Sequence, residues 1–169
     1  AFRLLDRFAG TCFSINLSYF DIANEGIKEL LFKKLASSPN ASNLFIEILE
    51  SEEFDDYESL RSFIAVAKNY GCTIAIDDFG SGYSNYYRIL TLDVDYIKID
   101  GALIKNIAND KNSRAIVETI AGFAKKQGYE LIAEYVENHE ISMILEEMGI
   151  RYMQGYFYSK PMEPSKIKF

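Results

Sequence analysis

The sequence predicts an α/β fold, a TIM-like (β/α) barrel in which about six of the eight strand–helix units are present. Strand-like and helix-like segments alternate along the chain, which is typical of parallel strands joined by right-handed crossovers. Nearly every strand-like segment also carries a polar residue near its carboxyl end. A barrel gathers those ends around one site, whereas a doubly wound sheet binds its ligand at one switch point. Alternation alone leaves both folds open, and the polar residues favour the barrel.

Short apolar, β-branched runs predict the strands, because strands buried on both faces show little polar alternation. These runs lie at residues 12–17, 44–49, 73–76, 96–99, 130–136 and 152–157. Apolar residues at helical spacing predict helices at 1–8, 23–36, 57–70, 84–90, 103–127 and 140–148. Gly71 ends the third of these helices, and residues 110–112 are a candidate break in the fifth.

The composition indicates one globular domain. The 169 residues suffice for one buried core, and 49% hydrophobic with 25% charged residues is ordinary for a folded domain. The net charge of -7 disfavours binding to the phosphate backbone of a nucleic acid, so DNA or RNA binding is not expected. A nucleotide ligand would still be possible if metal ions neutralised its phosphates. Cys12 and Cys72 resemble reduced, buried thiols, and no signal peptide or membrane-length apolar run is visible. A cytoplasmic location is therefore expected.

The stretch 73–85, TIAIDDFGSGYSN, is the centre of the candidate site. Its apolar run ends in two adjacent carboxylates, Asp77 and Asp78, and then in the glycine-containing segment 79–84. Acidic groups at the end of a buried strand indicate a site for a cation or for proton transfer. Alternatively, both aspartates only cap the next helix, since Asp is a good N-cap.

The other predicted strands carry further polar residues that a barrel would bring together, namely Asn16, Glu47, Lys98, Glu134 and Gln154. Carboxylate and amide oxygens suit Mg²⁺, Mn²⁺ or Ca²⁺ rather than zinc, and so many carboxylates repel one another unless cations lie between them. Two bridged cations activate a water for in-line attack on a phosphodiester. Lys98 would hydrogen-bond that water or balance the phosphate charge; alternatively, it forms an ion pair with Asp100 or Glu134.

Six segments follow one another in a characteristic order: INLS at 15–18, EILE at 47–50, DDFGSGYS at 77–84, KID at 98–100, AEYVE at 133–137 and QGY at 154–156. They resemble the ordered motifs of the EAL domain, a family of bacterial phosphodiesterases that linearise the second messenger cyclic di-GMP to pGpG. The resemblance covers essentially the whole chain. Residues 1–169 are therefore predicted to be the C-terminal portion of one EAL-type barrel.

The resemblance implies metal-dependent hydrolysis of cyclic di-GMP, in signalling that regulates biofilm formation and motility. It implies two Mg²⁺ or Mn²⁺ ions, with Ca²⁺ as an inhibitory ion. The implied metal ligands are Asn16, Glu47, Asp77, Asp78 and Glu134. The implied catalytic residues are Lys98, Glu134 and Asp78, and the residues that support substrate or site are Glu137 and Gln154. A loop is expected to couple metal binding to a homodimer interface; it comprises Phe79, Gly80, Ser81 and Gly82.

The chain departs from the family pattern at three places. Ser81 replaces the more usual Thr, and Tyr135 stands where Gly is commonest, so its bulk is expected to alter the pocket or its loop. The Glu-Ala-Leu motif that names the family is not found, because Glu29-Leu30-Leu31 lies in a predicted helix after the Asn16 strand. The expectation is a truncated barrel that lacks its first two strands and one metal-ligating Glu.

Two other functions remain open, particularly for the truncated form. The domain could be a non-catalytic cyclic di-GMP receptor, or a protein-interaction module. The retained Asp77, Asp78, Lys98 and Glu134 disfavour both, since receptors of this family tend to lose metal ligands first. Relatives often carry a diguanylate cyclase or sensory domain ahead of this one, and such a domain, with or without a membrane anchor, is expected in the full-length protein.

Overall fold

The six predicted strands form one parallel sheet, which the computed structural model describes over residues 1–8, 10–49, 57–80 and 86–163. The strands are β1 (Phe13–Leu17), β2 (Leu44–Leu49), β3 (Thr73–Phe79), β4 (Tyr96–Ile99), β5 (Glu130–Ala133) and β6 (Tyr152–Met153). They are hydrogen-bonded in chain order, each parallel to the next. Sequential parallel order is the arrangement of a (β/α) barrel and contains no switch point, so the predicted fold class is confirmed.

Each predicted helix is present with small differences at its ends, and the structure adds one short helix, Tyr19–Ala23, that the periodicity did not predict. They are α1 (Phe2–Arg7), α2 (Tyr19–Ala23), α3 (Glu25–Ser37), α4 (Tyr57–Asn69), α5 (Tyr86–Ile89), α6 (Gly101–Asn106), α7 (Lys111–Gln127) and α8 (His139–Glu147), with a 3₁₀ turn at Ala41–Asn43. The predicted helix 23–36 begins only at residue 25, because Asn24 is extended and its side chain caps α3. The predicted break near residue 110 is confirmed: Asp110 accepts hydrogen bonds from Asn112 and Ser113 and starts α7.

One face of the sheet packs against the helices and forms the core. Alternate strand residues on this face are at most 3% exposed; they include Ile46, Ile48, Ile74, Ile76, Ile97 and Ile99. Leu60 and Ile64 from α4, and Val117 and Ile120 from α7, belong to the same cluster. Burial of each such side chain contributes about 1.5–3 kcal/mol relative to leaving it in water. Among the described residues, no helix combines the length and hydrophobicity needed to cross a bilayer.

The opposite face of the sheet carries two layers of side chains. In the lower layer, the ring centroids of Phe45 and Tyr96 lie 5.4 Å apart, and those of Tyr96 and Tyr152 lie 5.5 Å apart. Because strand side chains repeat every two residues, the next layer towards the carboxyl ends holds Glu47, Lys98 and Gln154. The fold therefore supports the polar residues on an aromatic layer. Among the described strands, β1 and β6 form the two edges of the sheet.

Candidate active site

A β-bulge at the end of β3 brings two consecutive carboxylates to the same place. Ile76 pairs with Ile97 and Phe79 pairs with Ile99, so Asp77 and Asp78 together lie opposite Lys98 alone. Consecutive residues of a regular strand point to opposite faces, but a bulge redirects one of them. Asp78 has a φ of 57°, in the left-handed region, and its N–H donates to Asp77 Oδ1 at 3.0 Å. The alternative that both aspartates cap the next helix depends on contacts with residues 81–85, which lie outside the described residues.

Lys98 lies at the centre of three carboxylates from three other strand ends. Its Nζ is 2.6 Å from Glu47 Oε2, 2.8 Å from Asp77 Oδ1 and 2.8 Å from Glu134 Oε1. An ammonium has three N–H donors, so each donor has one carboxylate partner. Burial by itself lowers the pKa of Lys98, but the hydrogen bonds to Asp77, Glu134 and Glu47 outweigh it and raise the pKa above its usual value. The three carboxylates therefore favour the charged form of Lys98, and the predicted alternative of an ion pair with Glu134 is also present.

A second β-bulge follows β5 and holds Glu134. The N–H of Gln154 donates to the carbonyl of Ala133, and the N–H of Val136 donates to the carbonyl of Gln154. Two residues, Glu134 and Tyr135, thus lie opposite Gln154, and Tyr135 has a φ of 53°. The side-chain amide of Gln154 donates to Glu134 Oε1 at 2.5 Å. The two bulges thus have the same form, a carboxylate followed by a left-handed residue.

The acidic side chains of the two bulges form a cluster that suits a hard cation. Asp77, Asp78 and Glu134 each offer a carboxylate oxygen within 4.8 Å of the others. Burial, together with the charges of Asp77 and Asp78, raises the pKa of Glu134 despite the nearby Lys98. Burial, followed by the charges of Asp77 and Asp100, likewise raises the pKa of Asp78. Since oxygen donors suit Mg²⁺ and Mn²⁺, and these repelling carboxylates favour a cation, the residues present fit such an ion.

The structure brings most of the predicted site residues together. Glu47, Asp77, Asp78, Lys98, Glu134 and Gln154 are in contact or within one cluster. Asn16 is the register partner of Glu47 on β1 and is exposed. Glu137 lines a neighbouring cavity rather than the cluster around Lys98. Asp100, the other predicted partner of Lys98, instead caps α6 through the N–H of Ala102.

The predicted loop that begins at Phe79 is partly a strand. Phe79 is the last residue of β3, its side chain is fully buried, and its ring meets that of Tyr86 edge-on at 5.1 Å. The loop assignment of Phe79 is therefore wrong, because the bulge before it returns its side chain to the core. Gly80 has a φ of 98°, and an added Cβ would lie 2.7 Å from Leu103. Ser81 and Gly82 lie outside the described residues.

A cavity of about 730 Å³ adjoins the carboxylates, and it contains residues that the sequence did not single out. Asp78, Glu134 and Gln154 line it together with Lys105 and Lys160. The Lys105 ammonium lies 4.1 Å from the centroid of the Tyr135 ring, and the Lys160 ammonium lies 5.6 Å from that of Tyr156. No sequence pattern marked these lysines, because they approach the site only through the fold.

Gly155 permits a close contact between β6 and the second bulge, which gives a testable prediction. An added Cβ at Gly155 would lie 2.8 Å from the carbonyl carbon of Val136, and closer still to the nitrogen and oxygen of Val136. Backbone cannot rotate away as a side chain does, so Gly155→Ala is expected to lower the free energy of unfolding by about 3 kcal/mol or more. Urea unfolding would measure this loss.

The matched control for Gly155→Ala is Gly149→Ala. Gly149 has a φ of 82°, but an added Cβ there meets nothing within 4 Å. Gly149→Ala is therefore expected to lower the free energy of unfolding only by the cost of the left-handed backbone, about 1–2 kcal/mol. Equal losses in the two variants would contradict the proposed role of the Val136 contact.

The fold and the site together define a class of protein: an open (β/α)-barrel sheet with a lysine and a carboxylate cluster at the carboxyl ends of its strands. The family model described as "EAL domain" matches residues 1–161. The chain belongs to the EAL domain family. The resemblance of the six motifs is thereby confirmed.

Several curated relatives and solved structures are similar to the chain. Probable cyclic di-GMP phosphodiesterase PdeA of Escherichia coli K12 is 37% identical over 90% of this chain and 21% of its own length. Cyclic di-GMP phosphodiesterase PdeB of Shewanella oneidensis is 37% identical over 89% of this chain and 18% of its own length. The PaMucR phosphodiesterase–c-di-GMP complex has a TM-score of 0.87 and 28% identity over 98% of this chain and 68% of that one. A manganese/c-di-GMP complex of Klebsiella pneumoniae BlrP1 has a TM-score of 0.81 and 28% identity, and the match covers 92% of this chain and 40% of the BlrP1 chain. The chain thus spans about a fifth of the curated relatives' length.

Proposed function

We propose that this domain hydrolyses one phosphodiester bond of cyclic di-GMP and releases linear pGpG, with Mg²⁺ or Mn²⁺ as the cofactor. The observation that carries the proposal is Lys98 bound by three carboxylates beside the Asp77, Asp78 and Glu134 cluster. A cation that neutralises the carboxylates also permits a dianionic nucleotide to approach a chain of net charge -7. The names of the relatives and of the structures with bound c-di-GMP support this substrate.

We infer a division of roles among the site residues. Asp77, Asp78 and Glu134 hold one divalent cation, and Glu47 and Asn16, adjacent in register, contribute to a second. The cations, when bound, make a bound water acidic and neutralise phosphate charge. Without a metal ion the three N–H donors of Lys98 are taken by Glu47, Asp77 and Glu134, and when a cation binds these carboxylates a donor of Lys98 would become available to the water or a phosphate oxygen. Gln154 orients Glu134, and Glu137 lines the substrate side of the cavity.

The remaining features of the family are part of the same proposal. We place residues 1–169 in the C-terminal portion of one EAL barrel, in which strands carrying the Glu-Ala-Leu motif would lie between β6 and β1 and supply one more Glu ligand. The segment 79–82 couples metal binding to a homodimer contact. Ca²⁺ occupies the site without supporting turnover. A diguanylate cyclase or sensory domain joins this domain in a cytoplasmic or membrane-anchored protein.

Incubation of the full-length protein with cyclic di-GMP tests the proposed activity. We expect pGpG to accumulate with Mn²⁺ or Mg²⁺ and to stop when a chelator removes the metal, as followed by chromatography of the nucleotides. If no pGpG forms, titration of the protein with cyclic di-GMP in a calorimeter separates the receptor function from the protein-interaction function. Cyclic di-GMP binding without any pGpG would indicate the receptor function, and neither binding nor pGpG would indicate the protein-interaction function.

A further inference from the structure

The second bulge contains a residue that its backbone does not favour. Tyr135 follows Glu134 with a φ of 53°, a conformation that glycine adopts easily and that a side chain with a Cβ resists. The bulge is nevertheless held on both sides, by the hydrogen bonds of Gln154 to Ala133 and Val136. Because the chain places a large aromatic ring at this strained position, the contacts of that ring must stabilise the bulge.

The ring of Tyr135 lies on the bare backbone of Gly101, at the start of α6. A Cβ added at Gly101 would overlap the ring, at 2.7 Å from both its Cγ and Cε2 atoms. Lys105 lies one helical turn after Gly101, and its ammonium is 4.1 Å from the ring centroid, within cation–π distance. Tyr135 is still 53% exposed, and its free side lines the cavity next to Glu134. The ring therefore joins α6 to the bulge that carries Glu134.

We propose that Tyr135 is a positioning residue, whose contact with Gly101 and Lys105 holds Glu134 where it binds the divalent cation. The proposal rests on the proposed function only for the identity of that cation as the cofactor. In a bulge the backbone of residue 135 fixes the direction of residue 134, since the two residues share one pairing position opposite Gln154. Anchoring Tyr135 to α6 thus limits the orientations of the Glu134 carboxylate. The sequence separation of 34 residues between Gly101 and Tyr135 hides this contact from any local pattern.

Substitutions at both sides of the contact test the proposal, with Mn²⁺ affinity measured by calorimetry on the full-length protein without nucleotide. Gly101→Ala is expected to displace the ring and to weaken Mn²⁺ binding about tenfold, as loss of a residue that orients a metal ligand does. Gly101 is the first residue of α6 and does not have a left-handed φ, so alanine causes no backbone strain there and the loss arises from the ring. Tyr135→Gly keeps the left-handed backbone and is expected to weaken binding less than Gly101→Ala.

The double variant Gly101→Ala/Tyr135→Gly decides the outcome. Without the Tyr135 ring, the methyl group added at Gly101 has nothing to displace. The Mn²⁺ affinity of the double variant is therefore expected to equal that of Tyr135→Gly alone. Gly122→Ala, where an added Cβ meets nothing within 4 Å, is the matched helical control and should bind Mn²⁺ as the parent does. With saturating Mn²⁺, turnover by the Gly101→Ala variant is expected to recover, which a general packing defect would not allow.

Three results from the variants would overturn the proposal. Gly101→Ala could bind Mn²⁺ like the parent, the double variant could be as weak as Gly101→Ala, or Gly101→Ala could lower only the melting temperature of the metal-free protein. Absence of Mn²⁺ binding in the parent would also overturn it. If the parent binds Mn²⁺ but releases no pGpG, the proposed function fails, while the Mn²⁺ affinities of the variants still decide the role of Tyr135.

Discussion

Replacing Asp77 by Asn is expected to abolish hydrolysis of cyclic di-GMP while the fold remains intact. Asp77 Oδ1 accepts from Lys98 and from the N–H of Asp78, and an Asn oxygen can accept both bonds. The variant loses only the negative charge that the proposed cation requires. We expect turnover to fall at least about a thousandfold, or about 4 kcal/mol in transition-state stabilisation.

Two measurements separate this loss of charge from a loss of structure. The melting temperature without metal should stay close to that of the parent, because removing one of several repelling carboxylates relieves repulsion. The rise in melting temperature on adding Mn²⁺ should disappear, since an ion that no longer binds the folded state no longer stabilises it. Asp93→Asn is the control, because Asp93 pairs with Lys68 on the exposed surface. Retained turnover in Asp77→Asn would refute the metal assignment.

Replacing Lys98 by Met is expected to destabilise the metal-free protein and to abolish turnover. Lys98 is only 4% exposed, and it is the cation shared by Glu47, Asp77 and Glu134. Removing one partner of a buried ionic cluster leaves uncompensated charge and costs about 3–5 kcal/mol in the free energy of unfolding. Urea unfolding would measure the loss, and Mn²⁺ is expected to restore part of it by taking over the charge compensation.

The effect of Lys98→Met is expected to depend on pH. Burial already raises the pKa of Glu134 while Lys98 opposes it, so loss of Lys98 raises that pKa further. A carboxyl whose pKa is higher in the folded than in the unfolded state binds more protons when folded, so stability falls as pH rises through those values. The difference in stability between variant and parent should therefore grow as pH rises above the ordinary pKa range of a glutamate.

A lysine on the surface provides the control for Lys98→Met. Lys68 also contacts two carboxylates, Asp93 and Asp95, but with much more exposure to solvent. Lys68→Met is expected to cost about 1 kcal/mol or less, because water screens exposed ion pairs. If Lys98→Met lowered the free energy of unfolding no more than Lys68→Met does, and the loss did not depend on pH, the central role of Lys98 would be contradicted.

Much of the fold was accessible from the sequence because its signals are local. The strand Tyr96–Ile99 and the strand Leu44–Leu49 have their predicted bounds, since each is a short apolar run between turn residues. The predicted strands 130–136 and 152–157 are longer than the observed β5 and β6. Both end early because the chain enters the bulge at Glu134 and the turn that follows Gln154, where regular pairing stops.

The sequence by itself determined the class of fold and the set of polar residues that converge. Parallel strands in chain order bring their carboxyl ends together, so Glu47, Asp77, Lys98 and Glu134 had to lie near one another. Only the tertiary structure decided how they meet. The bulges direct Asp77 and Asp78 to one cluster and return Phe79 to the core, against the two-residue repeat of a regular strand. The contact of Tyr135 with Gly101 likewise depends on two strand ends that approach in space, and no periodicity along the chain encodes such a distance.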